Sequence, residues 1–407
     1  MRKLVSILAL VLAGSSCGWN VSAGPITLGA VYPLHGGQGD GGTEEYRGTS
    51  LAVEYANAHG GVGGRPVQLA FHEADDSDAA PRAVADLADS GVPVIIGTHG
   101  STISAPAATA ATKRGVVFWE TGAIGVLPML AASGDRVFRF VPTGESLGRA
   151  AVAFARDVLL PKMRRAPSSL RWGVTYVNDP YGSSVGMGAI AEVRRAGLNL
   201  AGDFPYELKK GEDVRVAHLI KAARIDVLFV SAYMDDGVAL RKEVVRERIP
   251  MVASVGTSSS YCMEQFGKEL GKDSLGLFAS DKPDGQVIDA TRLTKDGAAA
   301  LQWARAQFSS RYHETMSAYA LSGFSGTWAL LHDVLPRAAD MTPDAIARAA
   351  RTADVPTGAL PNGSGLKFEG SENVRATSVI WEWIKPGVRA VVWPPAFARH
   401  AVVPMAI

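Results

Sequence analysis

The sequence predicts an α/β protein made of two doubly wound, parallel-sheet lobes, and three observations carry that reading. Short β-branched runs alternate with Ala-rich amphipathic stretches along nearly the whole chain, the rhythm of βα units. The series restarts after Thr143-Gly144-Glu145, which reads as a hinge, and 407 residues are enough for two cores. No Pro/Ser-rich or charged linker separates the two series, which points to several short crossovers and not to one tether. The expected division assigns 24–143 and 285–370 to an N-terminal lobe, and 144–284 and 371–407 to a C-terminal lobe.

The clearest unit runs from Val94 to Ala123. A β-branched run (Val94 to Ile96) ends at Gly97, and a polar turn through Gly100, Ser101 and Thr102 follows. An Ala-rich helix is expected from Ser104, with Ser104 as its cap and Pro106 in its first turn. A second strand, Val116 to Trp119, stops at Glu120, Thr121 and Gly122. Both polar turns fall at carboxyl ends of strands, the edge where open α/β sheets bind ligands. Free amides at the helix start suit an anionic group, although Ser101 and Thr102 equally suit a plain loop.

The amino terminus reads as an export signal. Arg2 and Lys3 precede a mostly apolar stretch, Leu4 to Ala13, too short to span a bilayer, and Val21-Ser22-Ala23 offers a cleavage site. Residues 1–23 are therefore expected to be removed, leaving 39 basic and 40 acidic residues. Cys17, after Gly14-Ser15-Ser16, offers an alternative lipid anchor. Either way the protein is expected to work outside the cytoplasmic membrane. Cys262 is then the single remaining cysteine, which excludes a disulfide scaffold and favours inert packing. A formal charge of +1 gives no reason to expect a nucleic-acid partner.

The remaining elements follow in order. Ile26 to Val31 is a buried strand, then a Gly-rich loop leads to a helix from about Thr43 to Ala58, with Glu44 and Glu45 in its first turn. Gly60 to Pro66 returns the chain to strand Val67 to Phe71, and helix Ala80 to Ser90 comes before the central unit. The second series has strands at Trp172 to Val177, Val227 to Ser231, Met251 to Val255 and Leu275 to Ala279. Its helices are Leu147 to Leu160, Tyr181 to Ala196, Asp213 to Ala223 and Asp235 to Arg246. Helices Lys295 to Arg311, Ala318 to Arg337 and Pro343 to Arg351 precede a tail in which Val379, Trp381 and Trp383 alternate.

Gly37, Gly39 and Gly42 show GxGxxG spacing between a strand and a helix. An acid at the right distance is missing and export removes the chain from the nicotinamide pool, so these glycines read as a loop at the cleft and no cofactor is expected. Eight scattered histidines show no paired metal spacing, and no nucleophile elbow occurs, so neither a metal site nor an enzyme is expected. Two exported lobes with binding edges describe a clamp that closes on a small molecule.

Several stretches carry a resemblance to a known family. They are PLHG at 33–36, the run Gly48 to Pro66, DDSD at 75–78, IIG at 95–97, VFRFVPT at 137–143 and NDPYG at 178–182. These resemble the type I periplasmic solute-binding proteins of the branched-chain amino-acid and amide receptor group. The resemblance covers nearly all of the mature chain. It implies two Rossmann-like lobes linked by three crossovers, a ligand in the cleft, a membrane ABC permease as partner, and a monomer. By position it assigns the ligand carboxylate to Ser101 with Thr102 and Gly100, and backbone contacts to Thr121, Gly122 and Ala123. It assigns the covering aromatics to Tyr181 and Tyr233. The family's acid for the ligand ammonium falls near Gly256 to Ser258, where this chain has Thr257 and no carboxylate. Ile124 stands where a threonine hydroxyl is usual, and Glu120, Asp235 and Asp281 are the acids that could compensate. The resemblance thus implies a receptor for an amino acid or amide, with a short organic or aromatic carboxylate, or a sensor for a membrane signalling partner, as alternatives.

Overall fold

The computed structural model describes residues 24–125 and 136–404; the expected signal peptide, with its expected cleavage site, and Cys17 lie outside them. The chain begins β1 (Ile26–Tyr32), α1 (Gly39–Ala58), β2 (Val67–Glu73), α2 (Ala79–Asp89), β3 (Val94–Gly97), α3 (Ser101–Arg114), β4 (Val117–Glu120) and β5 (Val137–Arg139). It continues through α4 (Gly144–Phe154), a π turn, α5 (Leu160–Lys162), β6 (Arg171–Val177), α6 (Pro180–Arg195), β7 (Asn199–Tyr206) and α7 (Glu212–Ala222). Next come β8 (Val227–Ser231), α8 (Met234–Arg246), β9 (Ala253–Thr257), α9 (Glu264–Leu270) and β10 (Phe278–Asp281). The last elements are α10 (Lys295–Tyr312), α11 (Ala318–Ala329), α12 (Pro343–Arg351), β11 (Phe368–Glu369), β12 (Glu372–Asn373), β13 (Val379–Lys385) and β14 (Val388–Trp393).

The strands form two seven-stranded sheets, ordered β11-β12-β5-β4-β3-β1-β2 and β14-β13-β10-β9-β8-β6-β7. Within each, five parallel strands follow the doubly wound 2-1-3-4-5 order; the first sheet then ends on short β12, parallel to β5, and β11, antiparallel to β12, and the second on antiparallel β13 and β14. That order places a topological switch between β1 and β3 in one sheet and between β6 and β8 in the other. The chain changes sheet three times: after β5, after β10, and between β12 and β13. The switch expected at 370/371 instead falls inside the β11–β12 hairpin, which stays in the first sheet through the Glu372–Arg139 pairing.

Close backbone contacts explain several departures from the expected boundaries. α1 begins at Gly39, not Thr43, because its glycines let the first turn press against neighbours. A Cβ at Gly42 would lie 2.1 Å from Pro33 O, and one at Gly41 2.2 Å from His99 Nε2. Glu44 and Glu45 therefore fall in the second turn, and Glu45 is fully buried. Farther along, α1 crosses α11 so closely that a Cβ on Gly48 would sit 1.9 Å from Ala320 O. α3 begins at Ser101 with Gly100 as its extended N-cap, and Pro106 lies beyond the first turn. The hydroxyl of Ser104, expected to cap, bonds Glu120 instead.

β7 and β14 have no clear strand pattern in the sequence and take their conformation from pairing with β6 and β13. In β13, Val379 to Trp383 are buried on both faces, so the alternation there does not mark a solvent face. Glu382, within that run, accepts from Val403 N, and burial pushes its carboxyl up to about 7.

Candidate functional site

The loops after β1, β3 and β4 face those after β6, β8, β9 and β10, and the two lobes meet around a small central chamber of about 20 Å³. Gly100, Ser101 and Gly122 line it from the first lobe, and Tyr181 and Tyr233 from the second. Thr102 lines a larger neighbouring groove of about 860 Å³ together with Tyr233 and Asp235. Thr121, Ala123 and Thr257 line neither; each supports the layer behind.

That supporting layer is built around two carboxyl groups. Glu120 is fully buried at the end of β4 and gathers Thr98 N (3.0 Å), Gly122 N (2.7 Å), Ala123 N (2.8 Å) and the Ser104 hydroxyl. Its own side chain thus takes the amides of Gly122 and Ala123 that the sequence offered to a ligand. Burial pushes the Glu120 carboxyl up, with nearby Glu45 adding to the rise and the donors opposing it. Glu120 is therefore not free to hold a ligand ammonium.

Glu45 reaches the same region from α1. The Thr121 hydroxyl donates to its Oε1 at 2.6 Å, and Tyr32 OH lies 2.9 Å from Thr121 Oγ1. His99 Nδ1 stands 3.0 Å from Glu45 Oε2. Burial drives the Glu45 carboxyl up to about 8 and the His99 imidazole down to about 3, so at neutral pH this contact joins two neutral groups. The neutral acid then donates to Nδ1 and leaves the His99 Nε2–H as a donor. Gly122 has to be glycine here, since a Cβ would lie 1.9 Å from Glu45 Oε2.

Ser101 Oγ accepts from Gly125 N at 2.9 Å, which leaves its hydroxyl hydrogen available to the chamber it lines. The first amides of α3 add donors, because a helix has no internal partner for them. From the second lobe, Tyr181 OH bonds Thr257 Oγ1 at 2.9 Å, and Tyr233 OH donates to Asp179 Oδ2 at 2.6 Å. Asp179 Oδ1 caps α6 through Gly182 N, so the two tyrosines are held by the strand ends and helix start of the switch point.

Other lining residues escaped the sequence reading. Gln38, His99, Ser258, Ser259, Lys282 and Tyr319 also face the chamber. Lys282 follows β10 and is buried; its Nζ donates to Gly122 O of the other lobe at 3.2 Å and lies 5.2 Å from the Tyr319 ring centre. A charged residue at a strand's carboxyl end was the signal available for Lys282. Tyr319 arrives on α11, far away in sequence, and had none. Away from the cleft, His35, Glu73 and Asp75 lie close enough to share an ion, as do His218, Glu243 and Glu247. Their side chains pair with one another or with Arg246 and Lys221. Cys262 is buried with its thiol 2.6 Å from Ser258 O, and burial pushes that thiol well up.

The family profile described as periplasmic binding protein matches residues 25–379. This chain belongs to the periplasmic binding protein family. The family places it outside the cytoplasm, and its two-lobed fold and cleft are those of a small-solute receptor. Among the described residues no helix is long and apolar enough to cross a membrane. The chain is similar to the Leu/Ile/Val-binding protein homolog 8 of Brucella suis, 25% identical over 397 residues, covering 97% of this chain and 96% of the relative. Among solved structures it is similar to a leucine binding protein of Thermotoga maritima, with TM-score 0.73, 16% identity, and 90% and 97% of the two chains covered. A branched-chain amino acid transporter substrate binding protein of Streptococcus pneumoniae in complex with isoleucine gives TM-score 0.71, 17% identity, and 91% and 100% coverage. These structures share the fold.

Proposed function

We propose that this chain captures a small solute with a carboxylate end between its lobes, and that an ABC permease in the membrane receives it. The favoured class is an amino acid, in keeping with the names of the Leu/Ile/Val-binding relatives. The observation that carries the reading is Lys282: a buried ammonium from one lobe, in a chamber shared with Ser101 of the other, with one of its three N–H donors on Gly122 O. A carboxylate between Lys282, Ser101 and the first amides of α3 would bond both lobes at once and favour their closed arrangement. At about 20 Å³ the chamber admits an amino acid only when the lobes part, which makes the crossovers hinges. Cleavage after Ala23 and a monomeric mature chain belong to the same reading.

The test is a thermal-shift panel of branched-chain amino acids, amides, urea, and short organic and aromatic acids. A ligand at about 100 times its dissociation constant adds ~2.7 kcal/mol of apparent stability. Lys282→Met and Ser101→Ala should each weaken the best carboxylate at least tenfold. A best ligand that binds both variants as it binds the parent protein would move the site elsewhere.

A further inference from the structure

Tyr319 separates the central chamber from a second one of about 540 Å³, also lined by both lobes. Six carboxylates line it: Asp40, Glu44, Glu264, Asp281, Asp284 and Glu314. Three have cations at hand, since Arg389 lies 3.6 Å from Asp284, Lys268 3.7 Å from Glu264 and Arg47 3.6 Å from Glu314. Asp281 feels the charges of Lys282 and Arg389 but makes no ion pair with either among the described residues. It is 1% exposed, its Oδ2 lies 2.7 Å from the Cys262 thiol, and its Oδ1 has no hydrogen-bond partner among the described residues. The adjacent Lys282 directs its ammonium to Gly122 O. From the other lobe, Glu44 contributes a second buried carboxylate oxygen, Oε2, that is likewise without a partner among the described residues.

A buried carboxylate oxygen left unpaired is costly, and a cation with N–H donors is the group that relieves it. The chamber is far larger than a lone metal ion needs and falls in the size range of organic-ligand pockets. We propose that Asp281 and Glu44, one from each lobe, form a cation subsite that takes the ammonium of the solute past Tyr319. The inference rests on the receptor reading above and sharpens it. The acid missing near Gly256 to Ser258 is replaced by one at the end of the next strand. Asp281 and Lys282, consecutive residues, then hold the opposite ends of a zwitterion in two adjoining chambers. A ligand whose amine stands several carbons from its carboxylate suits this split better than an α-amino acid.

The experiment compares unbranched ω-amino acids of two to six carbons, the α-amino acids leucine and valine, and the amine-free acids butanoate and hexanoate, by calorimetric titration. Each is titrated into the parent protein, Asp281→Asn and Glu44→Gln. The expected result is tightest binding by one of the longer ω-amino acids, weakened tenfold or more by Asp281→Asn and several-fold by Glu44→Gln, with amine-free acids insensitive to both. Asp281→Asn should also melt no lower than the parent without ligand, because it replaces a buried carboxyl whose Oδ1 has no hydrogen-bond partner among the described residues; a merely structural aspartate would lower it. If amine-free acids bind as well as their amino counterparts, and Asp281→Asn changes nothing, the cation subsite is wrong while the receptor reading stands. If no member of the panel binds, the cation subsite is wrong, and the receptor reading is decided by the wider thermal-shift panel.

Discussion

Replacing Glu45 with glutamine tests the buried layer behind the central chamber. The folded chain holds the Glu45 proton up to about pH 8, whereas an unperturbed glutamate releases it near 4.5. Between those values the folded state binds more protons than the unfolded state, so stability falls as pH rises through the window. His99, pushed down to about 3, is neutral in the folded chain across this window, and the partial protonation of its unfolded imidazole near pH 6.5 is common to parent and variant and cancels in their difference. From pH 6.5 to 8 the Glu45 contribution is about 2 kcal/mol, taking 1.36 kcal/mol per pH unit. A cooperative unit of ~200 residues shifts by ~2–4 °C per kcal/mol, so the parent melting temperature should drop by roughly 4–8 °C more than that of Glu45→Gln. Glutamine can still accept from Thr121 and donate to His99 Nδ1, so the variant should fold. Melting curves by circular dichroism at pH 6.5 and 8, for parent and variant, measure the difference. It also cancels the contribution of Glu382, whose carboxyl titrates near 7. Equal slopes would mean that the folded chain holds no such proton at pH 6.5, with Glu45 already ionised beside a neutral His99, refuting the protonated carboxyl.

Two further substitutions probe the frame that positions the site. Glu120→Gln places an NH₂ group among the donors of Thr98, Gly122, Ala123 and Ser104, and should cost about 2–4 kcal/mol in urea unfolding; a loss under about 0.5 kcal/mol would show that this hydrogen-bond cluster does not hold the loop. Gly48→Ala gains ~1 kcal/mol of helix propensity but drives a Cβ to 1.9 Å from Ala320 O, so overpacking should leave a net loss of about 1–2 kcal/mol. A variant that melts at or above the parent temperature would show that α1 and α11 separate at little cost.

The sequence by itself determined the architecture. Period and punctuation mark βα units because each parallel strand has to be apolar on both faces and each helix on one, and those patterns are local. The turns at Gly100 to Thr102 and Thr121 to Ala123 were legible for the same reason, as polar breaks at strand ends. Their partners were not. The amides of Gly122 and Ala123 read as free because nothing local shows that Glu120 folds back onto them. Glu45 read as a first-turn helix residue because the close approach of α1 to Pro33 and His99 is a tertiary fact. The glycines read as a loop at the cleft, but Gly39 and Gly42 belong to the first turn of α1, where they press on backbone atoms of Leu34 and Pro33. Tyr319 reaches the cleft only because the chain crosses to the first lobe after β10, where α11 packs on α1, while Asp281 and Lys282 face it from the carboxyl end of β10. Whether a buried charge is satisfied or left facing a chamber depends on which distant groups surround it, and packing alone supplies those groups.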